Sequence, residues 1–191
     1  MKHILFGLLA LSLLSSMSLS AQTIYADKTT SEGRMILLEQ QNVGPSSARK
    51  DEMSLNYFSS GETEIFRLCI DFDGISKIQE GYKILLKQES GNIIELTCAL
   101  ATPSFKVIPF LWEVKYAKDA NFLVTREQVE SMIADPVIKI RVEHSYGYTD
   151  IEQYAKSQII KKSRFSSYLK DAYNEINDAL KNKKTGLYDD F

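Results

Sequence analysis

Tyr82–Cys98 reads YKILLKQESGNIIELTC, two short apolar runs on either side of a polar reversal. Tyr82–Lys87 and Ile93–Cys98 have the length and the branched apolar content of strands. Glu89-Ser90-Gly91-Asn92 lies between them, and Gly91-Asn92 supplies the positive φ that a tight turn requires. A hairpin at the centre of the chain makes an antiparallel sheet the organising element.

The same period extends upstream. Over Thr63–Phe72, residues Phe66, Leu68, Ile70 and Phe72 point one way, and Thr63, Ile65, Arg67, Cys69 and Asp71 point the other. Leu55-Asn56-Tyr57 precedes this run, and Ser59-Ser60-Gly61-Glu62 joins the two as a second hairpin. Met35–Leu38 reads as the first strand, the polar stretch Gln22–Arg34 as a loop, and Asn42–Glu52 as a solvated loop around Gly44-Pro45. Downstream, Phe110–Tyr116 alternates and Phe122–Val124 is a short strand. Thr125-Arg126-Glu127-Gln128 has capping-box spacing, so a short helix is expected over Arg126–Ala134, stopped by Asp135-Pro136. Val137–His144 is rich in β-branched residues and reads as a strand.

After Ser145-Tyr146-Gly147-Tyr148 the spacing turns helical. Asp150 is the expected N-cap of a helix running to about Lys184, with a bend near Lys162-Ser163. The expected fold is therefore mainly β, sandwich-like and α+β overall: seven or eight antiparallel strands, one short helix and one long C-terminal helix at about 150–184. All of it falls in a single domain, residues 22–191.

The chain has 191 residues, 44% hydrophobic and 25% charged, with net charge −2. That balance excludes intrinsic disorder, and it excludes nucleic-acid binding by bulk electrostatics. The apolar residues are densest at the N-terminus. Met1–Ala21 opens with Lys2 and His3, continues with the apolar Ile4–Leu14, and ends in small residues up to Leu19-Ser20-Ala21. This order is that of a secretory signal peptide cleaved near Ala21, and its apolar centre falls short of the roughly 20 residues that span a bilayer. The expectation is export to the periplasm or cell exterior, with no stable membrane anchor.

Few residues offer chemistry. With His3 in the leader, His144 is the one imidazole left, so any nucleophile relay would have to run through it. No Gly-x-Ser-x-Gly elbow is present. Asp71-Phe72-Asp73-Gly74 resembles the opening of a calcium loop, but Ile75 occupies the third-ligand position, and a strand-end turn is the better reading. Cys69 and Cys98 either pair or stay buried as thiols, and alternation places them on opposite sides. No catalytic residue, metal or cofactor is assigned. His144, Tyr146, Tyr148 and Asp150 gather polar and aromatic groups around one loop, and they are the candidate ligand-binding residues.

Gly81–Leu96 (GYKILLKQESGNIIEL) and Phe122–Glu143 (FLVTREQVESMIADPVIKIRVE) resemble a pattern in uncharacterised exported β-rich proteins of Gram-negative gut bacteria. That resemblance implies a β-rich exported domain and carries no catalytic residues with it. Two functions are expected from these readings. The first is a non-enzymatic binding or accessory protein contacting a protein or glycan of the cell envelope. The second is an envelope hydrolase using acidic residues or His144 in a β-sheet cleft.

Overall fold

The computed structural model describes residues 23–31, 33–45, 49–75, 78–107, 114–153 and 163–182; side chains within 102–119 lie outside that description. The described chain is mainly antiparallel β with two helices. The strands are β1 (Ile24–Thr30), β2 (Gly33–Leu38), β3 (Gln41–Asn42), β4 (Glu52–Ser60), β5 (Thr63–Asp71), β6 (Lys83–Gln88), β7 (Ile93–Val107), β8 (Val114–Val124), β9 (Val137–His144) and β10 (Gly147–Glu152). The helices are α1 (Arg126–Ala134) and α2 (Arg164–Lys181). Hydrogen bonding joins the strands in the order β1-β2-β4-β5-β8-β7-β6-β9-β10, with β3 on β4.

β7 links the two halves of this sheet. Its first residues, Ile93–Thr97, pair with β6, whereas Cys98–Val107 pair with β8. The register shifts between Cys98 and Leu100, a bulge of the kind that bends a strand and strengthens its twist. The two hairpins expected from sequence are both present. β4 and β5 turn through Gly61, and β6 and β7 turn through Gly91, where φ is +97°.

Alternation decides the core. Phe66, Leu68 and Ile70 of β5 are buried, as are Leu55 and Tyr57 of β4, Ile84 and Leu86 of β6, and Ile140 and Val142 of β9. α2 covers this face with Phe165, Leu169, Ala172 and Ile176, spaced for one helical stripe. Phe66 meets the edge of Tyr57 at 5.4 Å between centroids and the tilted ring of Tyr173 at 5.8 Å. Tyr168 does more than fill space, because its hydroxyl accepts a hydrogen bond from Leu55 N at 3.2 Å. Nearby, Asn56 Oδ1 accepts from Leu38 N at 3.1 Å. β2 pairs with β4 only at Met35 and Ile36, so these side chains satisfy backbone donors where that ladder ends.

α1 carries the expected capping box: Thr125 Oγ1 accepts from Gln128 N at 3.2 Å, and Gln128 Oε1 accepts from Thr125 N at 2.9 Å. Its other end is fastened by the buried Gln88. Gln88 Nε2 donates to the Ser131 and Asp135 carbonyls, both at 2.9 Å, satisfying groups a helix end leaves open.

Three boundaries differ from the sequence expectation. Gln22–Arg34 was expected as a loop, yet Ile24–Thr30 forms the edge strand β1. An edge strand pairs on one side only and buries little, so its apolar signal is thin. Phe122–Val124 is the end of the longer strand β8, while residues 110–113 of the expected alternating run lie outside the described residues. The third difference bears on function. Asp150 does not cap a helix: Gly147–Glu152 is β10, paired antiparallel with β9. Gly147, at φ +123°, follows the Ser145-Tyr146 reversal and sends the chain back along β9. α2 starts at the place where the sequence suggested a bend, with Ser163 as N-cap accepting from Ser166 N at 3.2 Å. Residues 154–162 and 183–184 of the expected helix lie outside the described residues.

Candidate functional site

The candidate residues sit on the β9–β10 hairpin at one edge of the sheet. Cα pairing sets Gly147 against His144, Tyr148 against Glu143, Thr149 against Val142 and Asp150 against Arg141. Val142 and Ile151 are buried, so Thr149 and His144 share the inward parity, while Tyr148, Asp150, Glu143 and Arg141 face outward. The hairpin thus divides the four candidates into two pairs.

On the inward rim, His144 Nδ1 accepts from Tyr146 N at 3.3 Å, and Nε2 lies 3.1 Å from Thr149 Oγ1. An accepting Nδ1 in a neutral ring puts the proton on Nε2, which donates to the threonine. His144 is thereby committed on both nitrogens to its own hairpin. Its ring also meets Tyr146 edge-on, with centroids 6.4 Å apart. On the outward face, the Arg141 guanidinium lies 4.4 Å from the Tyr148 ring centroid. The same guanidinium grips Asp150 with both arms, Nε to Oδ1 at 2.6 Å and Nη2 to Oδ2 at 2.9 Å. Lys139 Nζ adds a contact to Asp150 at 2.9 Å and one to Glu152 at 3.1 Å.

These contacts set the chemistry of the site. Hydrogen bonds from Arg141, then Lys139, hold the Asp150 carboxyl far below the usual carboxylate range. Such a group is a fixed anion and a poor proton acceptor, unsuited to general acid–base work. What remains available is contact area, for Tyr146 is 74% exposed and Tyr148 is 65% exposed. A tyrosine ring loses few rotatable bonds on binding, and Tyr148 is already held by the cation on its face.

The other candidates are absorbed by structure. Asp71-Phe72-Asp73-Gly74 is a strand-end turn in which Ile75 N donates to Phe72 O at 3.0 Å. Asp73 Oδ2 accepts from Lys50 N, and Asp73 N donates to Asp51 Oδ1 at 2.9 Å. Among the described residues no group of three or more His, Cys, Asp or Glu is placed to hold a metal. Cys69 and Cys98 are both buried free thiols. Register separates them: Cys98 aligns with Phe122 and Leu68 in a core row, whereas Cys69 aligns with Asn121 in the adjacent row. Cys69 Sγ donates to Asn121 Oδ1 at 2.9 Å, and burial pushes the Cys98 thiol up, away from reactivity.

Arg141 and Lys139 were not singled out from sequence, although the Lys139, Arg141, Glu143 alternation places all three on the solvent face of β9. Their partners could be named only once 147–152 is paired as a strand. The chain matches no protein-family model, no curated protein and no solved structure.

Proposed function

We propose that the protein is an exported, non-enzymatic binding or accessory protein of the periplasm or cell surface. Its leader, Met1–Ala21, is removed, and it engages an envelope component through the β9–β10 hairpin. The observation that carries this reading is the pair of exposed rings, Tyr146 and Tyr148, mounted on a hairpin braced by Arg141, Asp150 and Lys139. The scaffold belongs to the same reading: a sandwich-like body in which both halves of the sheet and α2 share one core.

Protein is favoured over glycan as the partner. Around Tyr148 the outward face is a lattice of opposite charges, Lys139, Arg141, Asp150 and Glu152, continued by the Lys83–Glu95 pair. Charges arranged so suit a polypeptide with its own alternating charges, and they steer and orient it. A sugar platform would instead place further aromatic rings beside Tyr148. The hydrolase reading gains nothing from the site, where Asp150 and Glu152 are tied to cations and His144 to Thr149. Among the described residues no helix is long and apolar enough to cross a membrane.

The test is capture from native envelope extracts with the wild-type chain and with a Tyr146→Ala/Tyr148→Ala variant. A partner retained by the wild type and lost by the variant supports the reading. A partner retained equally by both contradicts it.

A further inference from the structure

Among the described residues the sheet ends in two strands paired on one side only, β1 and β10. The two edges differ. β1 carries a register shift between Ile24 and Ala26, and a bulge of that kind turns an edge away from further pairing. β10 pairs with β9 without a shift from Gly147 to Glu152, and it holds neither proline nor lysine, two residues that commonly blunt an edge.

Hydrogen-bond parity fixes which groups of β10 are open. The ladder continues to Gln153 N, which donates to Ile138 O at 2.8 Å. Counting back by twos, Ile151, Thr149 and Gly147 bond to β9, while Tyr148, Asp150 and Glu152 turn their N–H and C=O groups the other way. Among the described residues no backbone bond reaches these three on that side. Their side chains lie on the outward face, so the open backbone and the exposed Tyr148 ring belong to the same row.

Charge selects what can pair here. Asp150 and Glu152 lie on the edge itself, and their cations, Lys139 and Arg141, lie one strand behind. An arriving strand therefore meets the acids first. Glu152 shares Lys139 with Asp150, and its side chain is 60% exposed. Residues directly opposite on one face attract when their charges differ and repel when they match. That disfavours a second copy. A two-fold pairing of β10 with itself centred on Asp150 or Ile151 sets acid against acid, and one centred on Thr149 leaves Glu152 opposite the Tyr146 turn.

We propose that β10 takes a partner polypeptide as an added antiparallel strand, with basic residues opposite Asp150 and Glu152 and an aromatic one opposite Tyr148. This rests on the hairpin being the binding face and says how that face binds. Main-chain bonds to Tyr148, Asp150 and Glu152 supply affinity, and alternate side chains supply selectivity.

The probe is the capped peptide Thr-Lys-Val-Arg-Val-Tyr-Thr, which sets Lys against Glu152, Arg against Asp150 and Tyr against Tyr148. Binding to the full chain is followed by fluorescence anisotropy and amide exchange. In the free chain the amides of Tyr148, Asp150 and Glu152 should exchange fast and those of Thr149 and Ile151 slowly, and the peptide should slow the first three about tenfold. N-methylation at Arg and Tyr, whose N–H groups face β10, should weaken binding about tenfold, whereas methylation at both Val should leave it within about twofold. Glu in place of Lys and Arg should also cost about tenfold. Glu152→Pro removes a donor that points off the sheet, and it should bind the peptide more weakly than Glu152→Ala does. Slow exchange of all three amides in the free chain, no binding of the peptide, or equal losses from the two methylation patterns would overturn strand addition. An envelope partner captured by Glu152→Pro but lost by Tyr146→Ala/Tyr148→Ala would overturn strand addition and leave the hairpin reading standing. A partner kept by both variants would remove both.

Discussion

Arg141 of β9 lies across the ring of Tyr148 on β10, 4.4 Å from its centroid, while holding both carboxylate oxygens of Asp150 two residues further along the same strand. One side chain thus orients an exposed aromatic ring and neutralises the charge beside it. The arrangement fixes Tyr148 before any partner arrives, so little ordering entropy remains to be lost on binding.

Tyr148→Ala is expected to remove partner binding while leaving stability nearly unchanged, within about 0.5 kcal/mol, because the ring is mostly solvent-exposed. Paired thermal melts and capture assays check this. A large fall in melting temperature would mean that the ring is structural.

The Asp150 bridge predicts a specific pH response. Its folded-state carboxyl titrates far below its unfolded value, so its contribution is complete above the unfolded pKa of about 3.9 and fades as pH falls below it. Asp150→Asn should therefore show a constant stability deficit between pH 7 and pH 5, shrinking below about pH 4. Urea titrations of both proteins across that range measure it. A deficit that grew on acidification would contradict the ion-pair assignment.

Gln88→Met keeps the volume but removes the donor shared by the Ser131 and Asp135 carbonyls. Leaving these carbonyls without that donor should cost about 2 kcal/mol. Hydrogen exchange should show the loss concentrated at the C-terminal turn of α1, with the β4–β5 hairpin spared.

Tyr168→Phe tests the seam where β2 leaves β4. The phenylalanine fills the same space but cannot accept from Leu55 N, and a cost of about 1–2 kcal/mol is expected in chemical denaturation. A neutral result would show that water replaces the hydroxyl there.

The two cysteines should remain thiols under oxidising conditions, since register sets them on opposite faces of the sheet. Alkylation after unfolding without reductant should label both. A crosslinked species would require a register different from that of Cys69 with Asn121 and Cys98 with Phe122.

Local signals carried most of the fold. The β6–β7 hairpin was readable because Gly91 and two apolar runs sit within seventeen consecutive residues, and α1 because Thr125 and Gln128 announce its start. β10 was misread for a physical reason. Ile151, Tyr154 and Ala155 have helical spacing, and the alternation of Thr149 and Ile151 against Tyr148 and Asp150 is too short to outweigh it. His144, Tyr146, Tyr148 and Asp150 lie on one hairpin, as their spacing in the sequence suggests, but their division into His144 with Tyr146 and Tyr148 with Asp150 depends on strand pairing. So does the part played by Arg141 and Lys139, whose partners come from β10.

On the proposed function, the β9–β10 hairpin is the face presented to an envelope partner. Site-specific photo-crosslinking in living cells tests it most directly, with a photoreactive phenylalanine analogue at position 148 and, as a control, at the exposed position 170 on α2. One dominant adduct is expected from position 148 and none from position 170. Equal adducts from both positions, or none from position 148, would contradict it.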